Sequence, residues 1–173
     1  MLNYRRARVP GATDFFTVTL RDRRKDWLTA HANLLRSIVR DVRKQRPFTI
    51  DAAVALPDHL HAICTLPDGD ADYSGRWRAI KARFSRALAR QGMPIVRNAQ
   101  GEYDLWQRRF WEHLLRDEAD FARHVDYIHD NPVKHGLVAD PFDRQWSSIH
   151  AYARRGIIGR HWRGCDPDGL FGD

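Results

Sequence analysis

The spacing of hydrophobic positions along the chain changes several times, and each change predicts a new element of secondary structure. Runs of β-branched and aromatic residues indicate strands, whereas apolar positions three or four residues apart indicate helices. The clearest helical stripe contains Trp77, Ile80, Phe84 and Leu88. Together these patterns predict strands at 13–20, 48–56, 59–66 and near 110–115, and helices at 28–45, 74–90, 117–131 and 146–155.

The order of these elements is β-α-β-β-α-β followed by a further helix, which predicts an α+β fold. This is the order of the ferredoxin-like split βαβ arrangement. We expect an antiparallel sheet with two main helices on one face, plus a C-terminal helix that Pro132 ends. We expect one domain over residues 1–155 and a Gly-rich tail, 156–173, that is partly disordered.

The composition is that of an ordinary globular domain. The chain has 173 residues, of which 43% are hydrophobic and 29% charged, so a core can form. No apolar run reaches the length of a membrane span, and no hydrophobic signal segment follows the basic N-terminus. Cys64 and Cys165 are too few for a disulfide framework. We therefore expect a cytoplasmic protein with no membrane partner, associated with the nucleoid when it is bound to DNA.

The charge of the chain favours a polyanionic partner. There are 29 Lys and Arg residues against 22 Asp and Glu residues, a net charge of +7, and several arginines are interleaved with aromatic residues. Guanidinium groups bind phosphates, and aromatic faces stack on unpaired bases. A generally basic surface without a specific partner is an equal alternative for each cation. The candidate DNA contacts are Arg5, Arg6, Arg8, Arg76, Arg78, Lys81, Arg83, Arg108, Arg109 and Lys134.

A histidine pair lies on the third predicted strand, in the run His59-Leu60-His61. Residues i and i+2 of a strand point to the same face, so the two imidazoles project side by side. Such a pair can chelate a divalent cation, although two exposed histidines on a wet face would show the same pattern. A further oxygen ligand would suit Mg²⁺ or Mn²⁺, with water and phosphate oxygens completing the shell.

A tyrosine on the predicted helix 117–131 is the second candidate. At about 100° per residue, Asp120, His124, Tyr127 and Asn131 share a stripe that borders the core and is expected to face a cleft. A tyrosine beside a metal or a cation can become a nucleophile toward a phosphodiester. An ordinary packing role for Tyr127 is the alternative. Neither periodicity indicates whether Tyr127 and the histidine pair meet.

The sequence resembles the single-tyrosine transposases of the HUH superfamily, and among them those associated with repetitive extragenic palindromes (REP elements). His59-Leu60-His61 matches the histidine–hydrophobic–histidine motif, and Tyr127 with its surroundings matches the nucleophile. Asn131 stands one turn later, where related transposases have a polar metal ligand that is often glutamine. Further matching blocks are Tyr4-Arg5-Arg6, Pro10-Gly11, Phe15-Phe16-Thr17, Arg76-Trp77-Arg78, residues 106–113 and Trp146-Ser147-Ser148. The loop 92–104 and the tail after Gly156 show no clear match.

The resemblance implies a Mg²⁺- or Mn²⁺-dependent enzyme that nicks and rejoins single-stranded DNA folded as REP-type hairpins. Cleavage would occur at a tetranucleotide near the hairpin and leave a 5′-phosphotyrosine and a free 3′-hydroxyl. His59, His61 and Asn131 would hold the metal, and Tyr127 would attack. Insertion-sequence relatives exchange the tyrosine helix within dimers, whereas a monomer is slightly favoured here. A hairpin-binding protein that does not cleave, or a ferredoxin-like RNA-binding module, remains an alternative.

Overall fold

The structure is a computed structural model and describes residues 8–164. The strands are β1 (Thr13–Thr19), β2 (Thr49–Ala55), β3 (His59–Thr65) and β4 (Trp111–Leu114). The helices are α1 (Trp27–Ala30), α2 (Ala32–Gln45), α3 (Tyr73–Arg90), α4 (Glu118–Lys134) and α5 (Ile149–Arg154), with a 3₁₀ turn at Pro141–Asp143.

The four strands form one antiparallel sheet in the order β2-β3-β1-β4. This confirms the predicted α+β, ferredoxin-like arrangement, in which the first and third strands occupy the centre of the sheet. Thr17 on β1 pairs with His61 on β3 and with Trp111 on β4. Directly paired residues project to the same face of a sheet, so this row crosses three neighbouring strands.

Both faces of the sheet are covered. Phe16 and Val18 of β1, with Leu60 and Ala62 of β3, pack in one hydrophobic cluster with α2 and α3. The other residues of these strands, such as Phe15 and Ile63, pack in a second cluster with α4 and α5. Because successive side chains of a strand point to opposite faces of the sheet, α2 and α3 lie together on one face, as predicted. The tyrosine-bearing helix α4 lies on the opposite face.

The tight turn predicted at Pro57-Asp58 joins β2 to β3. It is closed by the Leu56 amide, which donates to the His59 carbonyl oxygen over 2.8 Å. The turn therefore fixes the register in which the histidine strand begins.

Helix α4 ends later than predicted. Pro132 is buried inside the last turn and does not stop the helix, which continues to Lys134. The end is set by Gly136, which has a φ of 65° and donates to the Val133 carbonyl, while Leu137 donates to the Pro132 carbonyl. This pair of bonds is the Schellman motif, which needs a left-handed residue at the glycine position. The prediction that Pro132 ends the helix is wrong because packing of the last turn outweighs one missing amide.

Two smaller features also differ from the predicted elements. The helix expected over 28–45 is interrupted at His31, whose φ of −117° leaves the helical region. The N-cap of α3 is Asp72 rather than Ser74, because the Asp72 carboxylate accepts from the Gly75 amide over 2.8 Å.

The segment after α4 returns to the sheet and to α4. Ser148 Oγ accepts from the Ala53 amide on β2 over 3.0 Å and lies 2.8 Å from His129 Nε2 on α4. Beyond α5, the Trp162 ring lies 5.9 Å from the His129 ring. Ile158 and Trp162 of the predicted tail therefore contact the domain, and the tail beyond residue 164 lies outside the described residues. Among residues 8–164 no helix is long and apolar enough to cross a membrane.

His129 should make folding sensitive to acid. Its side chain is fully buried, and burial lowers its pKa from 6.5 to about 4, with a smaller contribution from His150. Because the unfolded state binds the proton more readily, this contribution to stability is complete above pH 6.5 and is lost as the pH falls toward 4. We expect His129 to account for a loss of about 2 kcal/mol of unfolding free energy between pH 7 and pH 5.

Urea unfolding at the two pH values, compared between the wild type and His129→Gln, measures this contribution. The glutamine keeps a polar partner for Ser148 but has no titrating group. The exposed His161→Gln is the matched control and should leave the difference between the two pH values unchanged. An equal acid sensitivity in wild type and His129→Gln would contradict the assignment.

Candidate active site

The histidine pair lies on β3 beneath α4. The rings of His59 and His61 are 4.9 Å apart with planes at 82°, and both face the second hydrophobic cluster, whereas Leu60 faces the first. The strand pattern therefore predicted their common side correctly. The alternative of two exposed histidines on a wet face is wrong, because α4 covers the sheet here and leaves the residues 3% and 1% exposed.

Each imidazole is held through its Nδ1 atom. His59 Nδ1 lies 2.7 Å from the Asp58 carboxylate, which also accepts from Arg23 Nε over 2.7 Å. His61 Nδ1 lies 2.9 Å from Thr17 Oγ1. The Nε2 atoms of both histidines are buried and have no hydrogen-bond partner among the described residues. The Nδ1 contacts thus orient both imidazoles and leave their Nε2 atoms available as ligands. Proteins commonly hold metal-binding histidines in this way, through a hydrogen bond to the second ring nitrogen.

The protonation state of the pair suits ligation. Burial lowers the pKa of His59, although Asp58 acts in the opposite direction. Burial, and after it the neighbouring His59, lowers the pKa of His61 well below its ordinary value. Both rings are therefore neutral at neutral pH, and a neutral imidazole is the form that binds a metal.

Tyr127 meets the pair within the same chain. It projects from α4 and is 3% exposed, and its ring centroid is 5.2 Å from that of His61 and 5.8 Å from that of Phe15. The Lys134 ammonium lies 5.7 Å from the centre of the tyrosine ring. The predicted stripe on α4 thus faces the histidines rather than an open cleft, and the structure joins two motifs that periodicity left separate.

Asn131 lies one turn beyond Tyr127 on the same stripe of α4 and is fully buried. Both of its amide atoms, Oδ1 and Nδ2, have no hydrogen-bond partner among residues 8–164. One turn further on, the ring of His135 is 5.1 Å from that of His59. Asn131 is therefore flanked along the helix by one residue that contacts His61 and another that contacts His59. The Asn131 side chain is thus a buried amide without a hydrogen-bond partner among residues 8–164, on the stretch of α4 that contacts the histidine strand.

Three residues of this site were missed by sequence reasoning. Asp58 and Thr17 hold the two imidazoles, and His135 contacts His59. Asp58 could have been predicted, since a carboxylate beside a metal-binding histidine commonly orients it. His135 could also have been predicted, because it follows Asn131 by four residues and so continues the same stripe of the helix. Thr17 stands in a block that resembles the family, but its contact with His61 could not be predicted, because it depends on the pairing of β1 with β3.

A second group of potential ligands lies between β4 and α4. The ligand atoms of His113, Asp120 and His124 lie within 4.8 Å of one another, and His113 Nε2 is 3.0 Å from the Asp120 carboxylate. The two imidazole rings are stacked 4.8 Å apart with planes at 15°. Lone pairs of imidazole lie in the ring plane, so nearly parallel rings do not converge on one ion. In this geometry the group is a hydrogen-bonded stack.

The predicted DNA contacts fall into several environments. Arg8, Arg78, Arg108 and Arg109 are exposed, which leaves their guanidinium groups at the surface. Lys81 donates to the Gln107 carbonyl, Arg83 donates to the Gln45 side chain, and Lys134 lies against Tyr127. Arg5 and Arg6 lie outside the described residues.

Arg76 differs from the other candidates because it is 5% exposed. Its guanidinium pairs with the Asp70 carboxylate at 2.6 Å and donates to the carbonyl oxygens of Arg46, Pro47 and Asp72. The sequence placed Arg76 with the surface cations of its helix, but it projects between α3 and the end of α2. There it donates hydrogen bonds to backbone carbonyls. Arg76 is therefore a structural residue and does not lie at the surface, where a DNA contact would be.

With this geometry established, comparison with known proteins identifies the family. A family model described as IS200-like transposase matches residues 14–131, more than half of the chain. The match begins in β1 and ends at Asn131, so it includes the histidine pair and Tyr127. The chain belongs to the IS200-like transposase family.

Two curated relatives lead to a narrower group within this family. A REP-associated tyrosine transposase of Escherichia coli K12 is 44% identical over 173 residues, which cover 100% of this chain and 98% of the relative. A Haemophilus influenzae protein, by its name a candidate transposase of the same kind, is 42% identical over 97% of this chain and 96% of its own. This transposase is therefore one of the REP-associated tyrosine transposases.

A solved structure agrees with this placement. The structure of a REP-associated tyrosine transposase bound to a REP hairpin matches the transposase with a TM-score of 0.88 and 43% sequence identity. The match covers 100% of this chain and 98% of that one. The α+β fold predicted from strand and helix periods is thus shared with a relative whose structure contains a REP hairpin.

The structural role of Arg76 can be measured by unfolding. Arg76→Ala removes the donor that pairs with Asp70 and bonds to three backbone carbonyls, so it should lower the unfolding free energy by about 2–3 kcal/mol. The value is below that for a fully buried pair because the Asp70 side chain is 34% exposed. The matched control, Arg78→Ala, removes an exposed arginine of the same helix and should change stability by less than about 0.5 kcal/mol. Equal effects of the two substitutions in urea unfolding would contradict this role.

Proposed function

We propose that this transposase nicks and rejoins single-stranded DNA that folds as REP-type hairpins, using Tyr127 as the nucleophile. The observation that carries the proposal is the contact of Tyr127 with His61, at 5.2 Å between ring centroids, beside two imidazole nitrogens without hydrogen-bond partners in the described chain. A tyrosine, a metal-binding pair and a nearby cation are together suited to phosphodiester transfer through a covalent phosphotyrosine. A protein that only binds DNA has no need of this combination.

The residues present fit a divalent metal. His59 and His61 would supply two nitrogens, and Asn131 would supply the amide oxygen that has no other partner in residues 8–164. Two nitrogen ligands and one oxygen ligand leave positions for water and phosphate oxygens, which suits Mg²⁺ or Mn²⁺. When bound, the ion would polarise the scissile phosphate and orient it toward the nucleophile.

The chemistry of the remaining side chains follows from their positions. The Tyr127 hydroxyl gives up its proton to solvent and its oxygen attacks phosphorus, so that a new oxygen–phosphorus bond forms and the bond from phosphorus to the 3′-oxygen breaks. The 3′-oxygen takes up a proton, and the DNA 5′-phosphate stays on the tyrosine. Attack by the 3′-hydroxyl of a second strand reverses these steps and needs no ATP. The Lys134 ammonium over the tyrosine ring stabilises negative charge on the phenolate.

The partner is proposed from charge and from the relatives. A similar transposase has been solved with a REP hairpin, and this chain has a net charge of +7. The exposed Arg8, Arg78, Arg108 and Arg109 supply sequence-independent phosphate contacts, to which Arg5 and Arg6 would add. Since Tyr127 meets the histidines of its own chain, a monomer is complete as a nicking unit. Such an enzyme would act on chromosomal DNA in the cytoplasm.

The nucleophile is tested by Tyr127→Phe. A hairpin oligonucleotide with single-stranded flanks, incubated with wild type and Mn²⁺, should yield a covalent protein–DNA adduct on a denaturing gel. Tyr127→Phe removes the attacking oxygen and should abolish the adduct, whereas Tyr103→Phe in the loop 92–104 is the matched control and should keep it. An adduct formed by Tyr127→Phe would overturn the assignment. Wild type that binds hairpins without ever forming an adduct would indicate the alternative, a binding protein that does not cleave.

The metal pair is tested by His59→Ala. Loss of one ligand should lower the rate of adduct formation roughly 100-fold or more, since metal activation contributes several kcal/mol. Hairpin affinity in EDTA should change little, because it depends mainly on Lys and Arg contacts. Calorimetric titration with Mn²⁺ should show the heat of binding for wild type and for the control His161→Ala, but not for His59→Ala. Unchanged Mn²⁺ binding in His59→Ala would exclude this residue as a ligand.

A further inference from the structure

Trp111 is a large apolar side chain that the fold leaves exposed. It begins β4, an edge strand of the sheet, and is 52% exposed. It projects to the face that carries the active site, because it pairs with Thr17, which pairs in turn with His61. Two strand spacings place the Cα atoms of Trp111 and His61 about 10 Å apart. An exposed indole therefore stands on the same face as the metal-binding residues.

The indole is held by a row of parallel rings. It stacks on His113 with ring centroids 6.0 Å apart and planes at 8°, and His113 stacks on His124 at 15°. Asp120 bonds to His113, and the edge of Phe15 contacts the indole at 5.7 Å. The orientation of the Trp111 ring is thus set by its packing on the half-buried His113 and the buried Phe15. A flat, oriented ring with half of its surface open is suited to stacking.

The charges around β4 indicate what would occupy this ring. Arg108 and Arg109 are exposed just before the strand, and Arg116 and Arg123 are exposed after it. Cations at both ends of an aromatic platform fit a phosphate backbone with an unpaired base on the ring, the combination found in single-strand binding grooves. An exposed aromatic side chain on an edge strand promotes aggregation, so its presence here is better explained by a bound partner.

We propose that Trp111 stacks on an unpaired base in the single-stranded flank of the hairpin and so positions the phosphate that Tyr127 attacks. The proposal rests on the proposed function and adds to it a positioning residue for the substrate. In this proposal the stacked rings of His113 and His124 hold the Trp111 ring at a fixed angle beside the active site.

Binding without cleavage provides the test. Affinities are measured in EDTA by fluorescence anisotropy, for a REP-type hairpin with both single-stranded flanks and for the same hairpin without them. Loss of one stacked base weakens binding by about 1–3 kcal/mol, which is about 5- to 150-fold in Kd. Trp111→Ala should therefore weaken the flanked hairpin by that factor and leave the hairpin without flanks unchanged. Trp111→Phe should recover much of the loss, because it restores an aromatic face.

Abasic substitution at each flank position, one at a time, identifies the base concerned. In wild type one position should weaken binding strongly, and in Trp111→Ala the same abasic site should have little further effect. The control Trp27→Leu changes a tryptophan that packs with the opposite, two-helix cluster and should behave as wild type. Equal weakening of flanked and unflanked hairpins by Trp111→Ala, or an abasic effect that persists in it, would overturn the proposal.

This experiment is separate from the test of the nucleophile, because it needs neither metal nor the Tyr127 hydroxyl. Wild type that binds both hairpins with equal affinity would overturn the stacking role while adduct formation by Tyr127 still stood. Wild type that binds neither hairpin would overturn both the stacking role and the proposed DNA partner.

Discussion

The packing of Phe15 is the contact on which the functional face depends. This ring is 1% exposed and lies within 6 Å, centroid to centroid, of the rings of His61, Tyr127, His124 and Trp111. It comes from the central strand β1, so it has neighbours on both sides in the sheet and α4 above it. One buried side chain thus sets the spacing between the histidine strand, the tyrosine helix and the edge strand. Truncating it would leave a cavity that all of them border.

Burial on both faces of the sheet explains the chemistry of the histidine pair. In a sheet with one wet face, His59 and His61 would be solvated. Under α4 they lose water, their pKa values fall, and each Nδ1 is held by an oxygen atom of Asp58 or Thr17. Two buried imidazole nitrogens and one buried amide without hydrogen-bond partners among the described residues lower the stability of the folded protein, and a purely structural site would have no reason to keep them. Such groups are usual where a protein is built to receive a ligand.

Helix α4 both packs on the sheet and carries the candidate nucleophile. Val125, Tyr127 and Ile128 pack into the second hydrophobic cluster and hold α4 on the sheet, and the Tyr127 ring also contacts His61. The Schellman motif at Gly136 extends the helix beyond Pro132, and this extra turn places Lys134 over the tyrosine ring and His135 against His59. A helix that stopped at Asn131 would lack both contacts.

The sequence by itself determined the elements of this transposase and the face on which each candidate residue lies, because period-2 and period-3.6 patterns are local properties of the chain. It therefore predicted the ferredoxin-like order, the common side of His59 and His61, and the shared stripe of Tyr127 and Asn131. Only the tertiary structure decided that strand and helix meet, that Arg76 is buried in the fold, and that Thr17, Asp58 and His135 belong to the site. These depend on strand pairing and on helix packing between residues far apart in the chain, and no local pattern records such contacts.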